Sequence, residues 1–177
     1  GIDNSRVFKI RGVRNLIASL SSQDVVHRGE ATKLIYNDGQ FAAHESLYIE
    51  RRDRGKLTTD NVFDFLLRKE FFRAGLKLKC DRCHLDSWQS LRQIDDIFVC
   101  EYCGHRNITS LHLRHRGDWK FRKSGLLAKD NNQEGAVPVV LSLLAFYRIF
   151  DSDKFLYSTS FHVGTGDDRR EIDYLVM

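Results

Sequence analysis

Cys80-Asp81-Arg82-Cys83 and Cys100-Glu101-Tyr102-Cys103 contain all four cysteines of the chain, with sixteen residues between the two pairs. Two residues between cysteines let a tight turn aim both sulfurs at one point, about 2.3 Å from each in a zinc–thiolate bond. Two such turns complete a tetrahedron, and the separation falls in the range that marks four-cysteine zinc sites. Two disulfides would require an oxidising compartment. The chain opens Gly1-Ile2-Asp3-Asn4-Ser5-Arg6, without the charged-then-apolar pattern of a secretory signal. A redox C-x-x-C normally occurs once, at the head of a helix. The expected cofactor is therefore one zinc ion held by Cys80, Cys83, Cys100 and Cys103. Four thiolates leave no open position for water, so the expected role is structural. His84 and His105 each follow a cysteine turn and read as surface residues rather than ligands.

The residues between the pairs carry two strand-forming stretches, Ser87 to Leu91 and Ile97 to Val99, which are expected to pair as a hairpin. Gly104 follows the second pair, where such a turn commonly needs a positive φ. The whole stretch resembles the zinc-ribbon family over about thirty residues. Members of that family bind nucleic acid, bind protein, or brace a larger domain.

At 177 residues and 42 % hydrophobic, the chain can bury a real core. The longest apolar stretch, Ala136 to Leu144, is interrupted by Pro138 and Ser142 and is about half the length needed to cross a bilayer. The expectation is a cytoplasmic protein without membrane contact. The only methionine is Met177, and the chain closes on the apolar run Ile172-Asp173-Tyr174-Leu175-Val176-Met177, from which a fragment of a longer protein is expected.

The net charge of +4 is local. Arg114, Arg116, Lys120, Arg122 and Lys123 stand against the single acid Asp118, which accounts for the whole excess. Leu111, Leu113, Trp119 and Phe121 are interleaved with them. Basic and aromatic residues so mixed suit phosphate contact with base stacking, and DNA is the expected partner. The alternative is that the apolar members point inward and the charges form an ordinary wet face.

Elsewhere the pattern is plainer. Val13 to Leu20 predicts a short helix, and Leu47 to Ile49 a strand. Gly29 and Asn37-Asp38-Gly39 break the pattern between them, and Arg51 to Lys56 is a charged loop. Thr59 is expected to cap a helix whose face carries Phe63, Leu66, Leu67, Phe71 and Ala74, with Gly75 at its exit. Leu76 to Lys79 then alternates as a strand. Gln133 to Phe150 predicts a helix apolar on nearly every side, with Pro138 in or near its first turn. Phe155 to Val163 and Arg170 to Met177 predict two strands joined by Gly164 to Asp168. Glu171 and Asp173 are two apart and share a strand face.

Gln133-Glu134-Gly135-Ala136, the apolar helix, a strand, a turn and Glu171-Ile172-Asp173-Tyr174-Leu175-Val176 together resemble the restriction-endonuclease-like PD-(D/E)xK nuclease superfamily. The resemblance covers Gln133 to Met177. It implies that Glu134 and Asp173 are catalytic magnesium ligands, with Glu171 a weaker candidate. The superfamily's following strand, with an acid and a lysine, has no counterpart after Asp173 in these residues. The expected fold class is α+β: an α-rich N-terminal part (1–75), a central zinc ribbon (76–110), and a basic segment with a partial nuclease-like layer (111–177). The expected function is a zinc-ribbon-containing nucleic-acid-binding region of a metal-dependent nuclease. The alternative is a non-catalytic module that meets a protein partner. No nucleotide-binding loop or nucleophile motif points to a metabolic enzyme.

Overall fold

The computed structural model describes residues 2–36, 57–113, 119–128, 133–150, 157–163 and 170–176. The fold is α+β, with antiparallel sheets and a helical N-terminal layer. No helix among the described residues is long and apolar enough to cross a membrane. The expected strand at Leu47, the charged loop 51–56, Arg114, Arg116 and the turn 164–168 lie outside the described residues.

The N-terminal layer opens with a 3-10 helix, Ile2–Lys9, followed by α1 (Arg11–Ala18), the short strand β1 (Val25–His27) and α2 (Arg28–Tyr36). Val13, Leu16 and Ile17 recur at helical spacing and are fully buried, which is why α1 forms where it does. Gly12 lets α1 and α2 approach closely: a Cβ there would lie 2.1 Å from the Ile35 carbonyl oxygen. Gly29 does not interrupt the chain as expected; it is the second residue of α2. Arg28 ties α2 to α3 (Thr59–Arg68), reaching Asp64 at 2.6 Å and Asp60 at 3.2 Å.

Two details of α3 correct the sequence reading. Thr58 rather than Thr59 is the cap, its hydroxyl accepting the Asn61 N–H at 3.1 Å. The helix also ends before Gly75. Glu70 turns left-handed at φ 58°, donating to the Leu67 carbonyl while Phe71 donates to that of Leu66. This double bond is a common helix terminator. Phe71 and Ala74 fall on helical spacing by coincidence, because Phe71 lies in the turn after α3 and Ala74 on the next strand.

That strand, β2 (Phe72–Lys79), lies inside a four-stranded antiparallel sheet of order β1-β6-β2-β3, with β3 Asp86–Ser90 and β6 Lys120–Lys123. The sheet draws strands from the N-terminal segment, the cysteine region and the basic segment. Its inner face packs on the helices: Phe63 of α3 meets Phe72 at 5.7 Å and Phe121 at 5.1 Å between ring centroids.

The expected hairpin between Ser87–Leu91 and Ile97–Val99 does not form. β3 pairs with β2, and β4 (Ile97–Val99) pairs with β5 (Arg106–Ile108). The physical reason is that each cysteine turn reverses the chain and so zips its own two flanking strands. A short helix, α4 (Thr109–His112), follows β5.

The C-terminal part contains α5 (Gln133–Ile149) and an antiparallel pair, β7 (Tyr157–Val163) and β8 (Arg170–Val176), as expected. Pro138 is the sixth residue of α5, so it falls just past the first turn and removes one backbone donor inside the helix. Val137, Leu143 and Leu144 are buried whereas Ile149 is exposed, so the helix is covered on one side. It packs against the N-terminal 3-10 helix and against β8.

Candidate metal centre and basic sheet face

The two cysteine turns are near copies of each other. In the first, the Cys80 N–H donates to the Leu85 carbonyl and the His84 N–H to that of Cys80, at 2.9 and 3.0 Å. In the second, Cys100 donates to His105 and Gly104 to Cys100 at the same distances. Gly104 has the expected positive φ, 68°, and His84 occupies the equivalent place at 60°.

These turns bring the four sulfurs within 4.8 Å of one another. Cys80 Sγ lies 3.7 Å from Cys103 Sγ, and Cys83 Sγ lies 3.6 Å from Cys100 Sγ. Both distances are too long for a disulfide, about 2.05 Å. They match the edge of a tetrahedron with metal–sulfur bonds of about 2.3 Å, roughly 3.75 Å. The donor set therefore fits one four-coordinate, thiolate-seeking metal with no open position. Neither His84 nor His105 joins the cluster.

The thiols do not share one acidity. Burial raises Cys80, but the N–H groups of Cys83 and Arg82 and the neighbouring thiols outweigh it and bring it to about 6. For Cys83 the Leu85 N–H lowers the pKa, yet burial and the adjacent thiols push it up to about 12. Crowded thiols lose their first proton readily and the last with difficulty, and a cation is what removes that penalty.

Around the cluster, Asn107 is buried and works three ways. Its Oδ1 accepts the Asp81 N–H at 2.9 Å, and its Nδ2 donates to the His105 carbonyl at 3.0 Å and toward Cys80 Sγ at 3.7 Å. Ser87 Oγ accepts the Glu101 N–H at 3.2 Å. His112 stands edge-on to Phe98 of β4. Its Nε2 is 3.3 Å from Asp81 Oδ2, close enough for attraction but misaligned for a hydrogen bond.

The sheet runs directly into the first cysteine turn and has a charged outer face. Register places Arg73 opposite Arg122, Gly75 opposite Lys120, Lys77 opposite Trp88, and Lys79 opposite Asp86. Residues paired across strands, and residues two apart along one, share a face. Arg73, Lys77, Lys79, Lys120 and Arg122 therefore stand together, with Trp88 among them and Asp86 at the margin. Lys123 points the other way: it is 4 % exposed and its ammonium donates to the carbonyls of Ile17 and Leu20. That corrects its expected place in the basic patch. Of the interleaved apolar residues only Phe121 is buried; Leu111, Leu113 and Trp119 are exposed.

Sequence reading missed Arg73, Lys77 and Lys79 as partners of Lys120 and Arg122. The alternation of Leu76-Lys77-Leu78-Lys79 was the available signal, since period two puts both lysines on one face. It also missed Ser87 and Asn107, each four residues past the second cysteine of its pair. Glu134 lies in the first turn of α5, and Glu171 and Asp173 on β8, with Glu171 opposite His162 and Asp173 between the paired Ile172 and Tyr174. The side chains of all three lie outside the described part of the structure. Set against known proteins, the chain matches no family model, no curated protein and no solved structure.

Proposed function

We propose that the chain is a zinc-braced nucleic-acid-binding region, in which the four-cysteine site is structural and the outer sheet face contacts phosphates. The single observation that supports it is the convergence of Arg73, Lys77, Lys79, Lys120 and Arg122 on one face beside the first cysteine turn. A sheet face with five cations, against Asp86 at its margin and Glu101 beside its β3 edge, attracts a polyanion through counterion release. Zinc bound at the first cysteine turn would tie together the ends of β2 and β3 that carry this face. DNA is the partner of this reading.

The test is fluorescence anisotropy of a labelled oligonucleotide titrated with the protein at several salt concentrations. About three phosphate contacts give a slope of log K against log salt near −2 to −3. Reversal of Lys77, Lys79 and Lys120 to Glu removes binding while the melting temperature stays close to the parent's. Binding that survives the reversal refutes the reading.

The same reading extends to a metal-dependent nuclease, with Glu134 and Asp173 holding magnesium and Glu171 in a lesser role. Its support is the packing of α5 against β8, which brings the elements that carry these acids together. Magnesium so held would polarise a scissile phosphate and activate water. Asp173→Asn keeps the shape and removes the charge. If cleavage by the nuclease is unchanged in that variant, β8 is not a metal site.

A protein-interaction module is the second reading. It is favoured by Ile97 and Ile108, which oppose each other on β4 and β5 and are 42 % and 54 % exposed. Ile97→Lys with Ile108→Lys abolishes partner capture on this reading and leaves oligonucleotide binding intact.

A further inference from the structure

We propose that the cavity between Trp88 and the Arg73–Arg122 pair takes one unpaired nucleotide of a single strand, its base on the indole and its phosphate between the guanidiniums. This rests on the nucleic-acid reading above and goes further, because it names a strand form and a point of contact.

The first observation is an electrostatic conflict. Arg73 and Arg122 are directly opposed across β2 and β6. Like charges so placed destabilise a sheet pair. Among the described residues, neither is joined to a carboxylate by an ion pair. Arg122 is instead held in place, its Nε donating to the Ser22 carbonyl at 2.9 Å. An anchored guanidinium opposed by a second one, neither ion-paired to a carboxylate among the described residues, suits a phosphate, whose oxygens accept from both and cancel their repulsion.

The second is the position of the indole. Trp88 stands on the same outer face, and the six-membered part of its ring lies over Gly75 of β2. A Cβ at position 75 would come within 2.6 Å of that ring and 2.4 Å of the Gln89 carbonyl oxygen. Glycine is thus what lets the ring lie down along the sheet. The Trp88 backbone is also pinned, its N–H donating to Glu101 of the second cysteine turn at 3.2 Å.

The third is the space between them. A cavity of about 300 Å³ includes Gln23, Arg73, Trp88, Gln93 and Arg122 in its lining, and Lys123 borders it while its ammonium turns inward to the Ile17 and Leu20 carbonyls. That is the lower end of the range for small-molecule sites, about 300–1,000 Å³. It admits one nucleotide unit and not the width of a duplex. Its chemistry includes one aromatic ring, two guanidiniums, three serines and two amides, which suits a base with its phosphate. A base paired inside a duplex has both faces covered by its neighbours, so only an unpaired base can stack on the indole. Lys77, Lys79 and Lys120 on the same face then carry the flanking phosphates.

The experiment uses the full chain with Trp119→Phe, which leaves Trp88 as the only one of the two tryptophans. Three probes are titrated at low salt: a thymidylate strand of about ten nucleotides, a duplex of equal length, and free thymidine monophosphate. The expected result is quenching of Trp88 by the strand with the same midpoint as anisotropy, and at least tenfold weaker binding of the duplex. Arg73→Gln lowers strand affinity at least tenfold and leaves the melting temperature unchanged or higher, since it relieves the repulsion. Trp88→Phe, which keeps a ring, retains more affinity than Trp88→Ala. Should Trp88→Ala fail to fold, the quenching and the Arg73 variant still decide.

Unchanged Trp88 fluorescence at saturation overturns the proposal, as does strand affinity indifferent to Arg73→Gln. Equal binding of strand and duplex, lost on reversal of Lys77, Lys79 and Lys120, removes the cavity and keeps the basic face. Monophosphate bound as tightly as the strand shows a free-nucleotide site and also overturns it. No binding of any nucleic acid at low salt overturns both readings together.

Discussion

Ser87 and Asn107 occupy equivalent places in the two halves of the metal centre. Each stands four residues past the second cysteine of its own turn and accepts the N–H of the residue following the first cysteine of the other turn. The two turns are therefore latched crosswise through buried side chains, independently of the metal.

Removing either latch loses a part-buried hydrogen bond, which costs about 0.5–1.5 kcal/mol. Outer groups of this kind typically change metal affinity about 10–100-fold. Ser87→Ala and Asn107→Ala should both weaken zinc binding in competition with a chromophoric chelator. Asn107→Ala should be the worse, because Asn107 also reaches His105 and Cys80. Affinities within twofold of the parent for both variants would refute the latch.

Zinc itself should be present at one ion per chain and lost to any single Cys→Ser change among the four. Apparent binding energy in such sites is about 10 kcal/mol or more and is coupled to folding, so these variants should lose the ribbon. Acid acts in the same direction, since protons compete with metal for thiolate. In the metal-free chain the signs differ between thiols. Cys80, depressed from 9.0 to about 6, contributes stability that is present above pH 9 and lost as pH falls through about 6. Cys83, raised to about 12, contributes stability present below pH 9 and lost as pH rises through about 12. Metal analysis across a pH series, with circular dichroism alongside, checks both statements.

His84 carries a left-handed φ that its counterpart Gly104 adopts without strain. A β-carbon in that region costs about 1 kcal/mol or a little more. His84→Gly should therefore stabilise the chain by up to about 1 kcal/mol, part of the gain being offset by the freer unfolded state. Gly104→Ala should do the reverse. A Cβ at 104 would meet nothing within 4 Å, so its cost would be purely conformational. Thermal melts of the two variants with zinc bound should move in opposite directions.

The four-cysteine cluster was legible because cysteines are rare residues here at fixed spacing, and local turn geometry brings each pair together. The α+β class was legible for a related reason: α1, α3, β7 and β8 each have a clear period, and α5 is a long apolar run. What could not be read was pairing. The strands β1, β4 and β5 are only three residues long, too short to show alternation. The choice of β2 for β3 and of β5 for β4 depends on the metal turns acting as hairpin turns. Glu70 ended α3 from a position where glycine or asparagine would have announced it. Lys123 could not be told from Arg122 by composition; only the pleat of β6 sends one to the core and the other to the outer face.

Lys123 gives the cleanest separation of structural from binding charge. Its ammonium lies within the fold and donates to the Ile17 carbonyl at 3.2 Å and to that of Leu20, just past the end of α1. A cation there also meets the negative end of the helix. Lys123→Met keeps the length of the side chain but leaves those carbonyls without this donor, so a loss of about 1–3 kcal/mol is expected. Oligonucleotide affinity should not change, because the ammonium does not reach the outer face. Lys77→Glu should do the opposite, weakening binding and leaving the melting temperature near the parent's. Measured side by side, the two variants should form a crossed pattern. If Lys123→Met instead weakens binding at full stability, its charge acts on the ligand and the inner and outer faces of β6 do not divide the work.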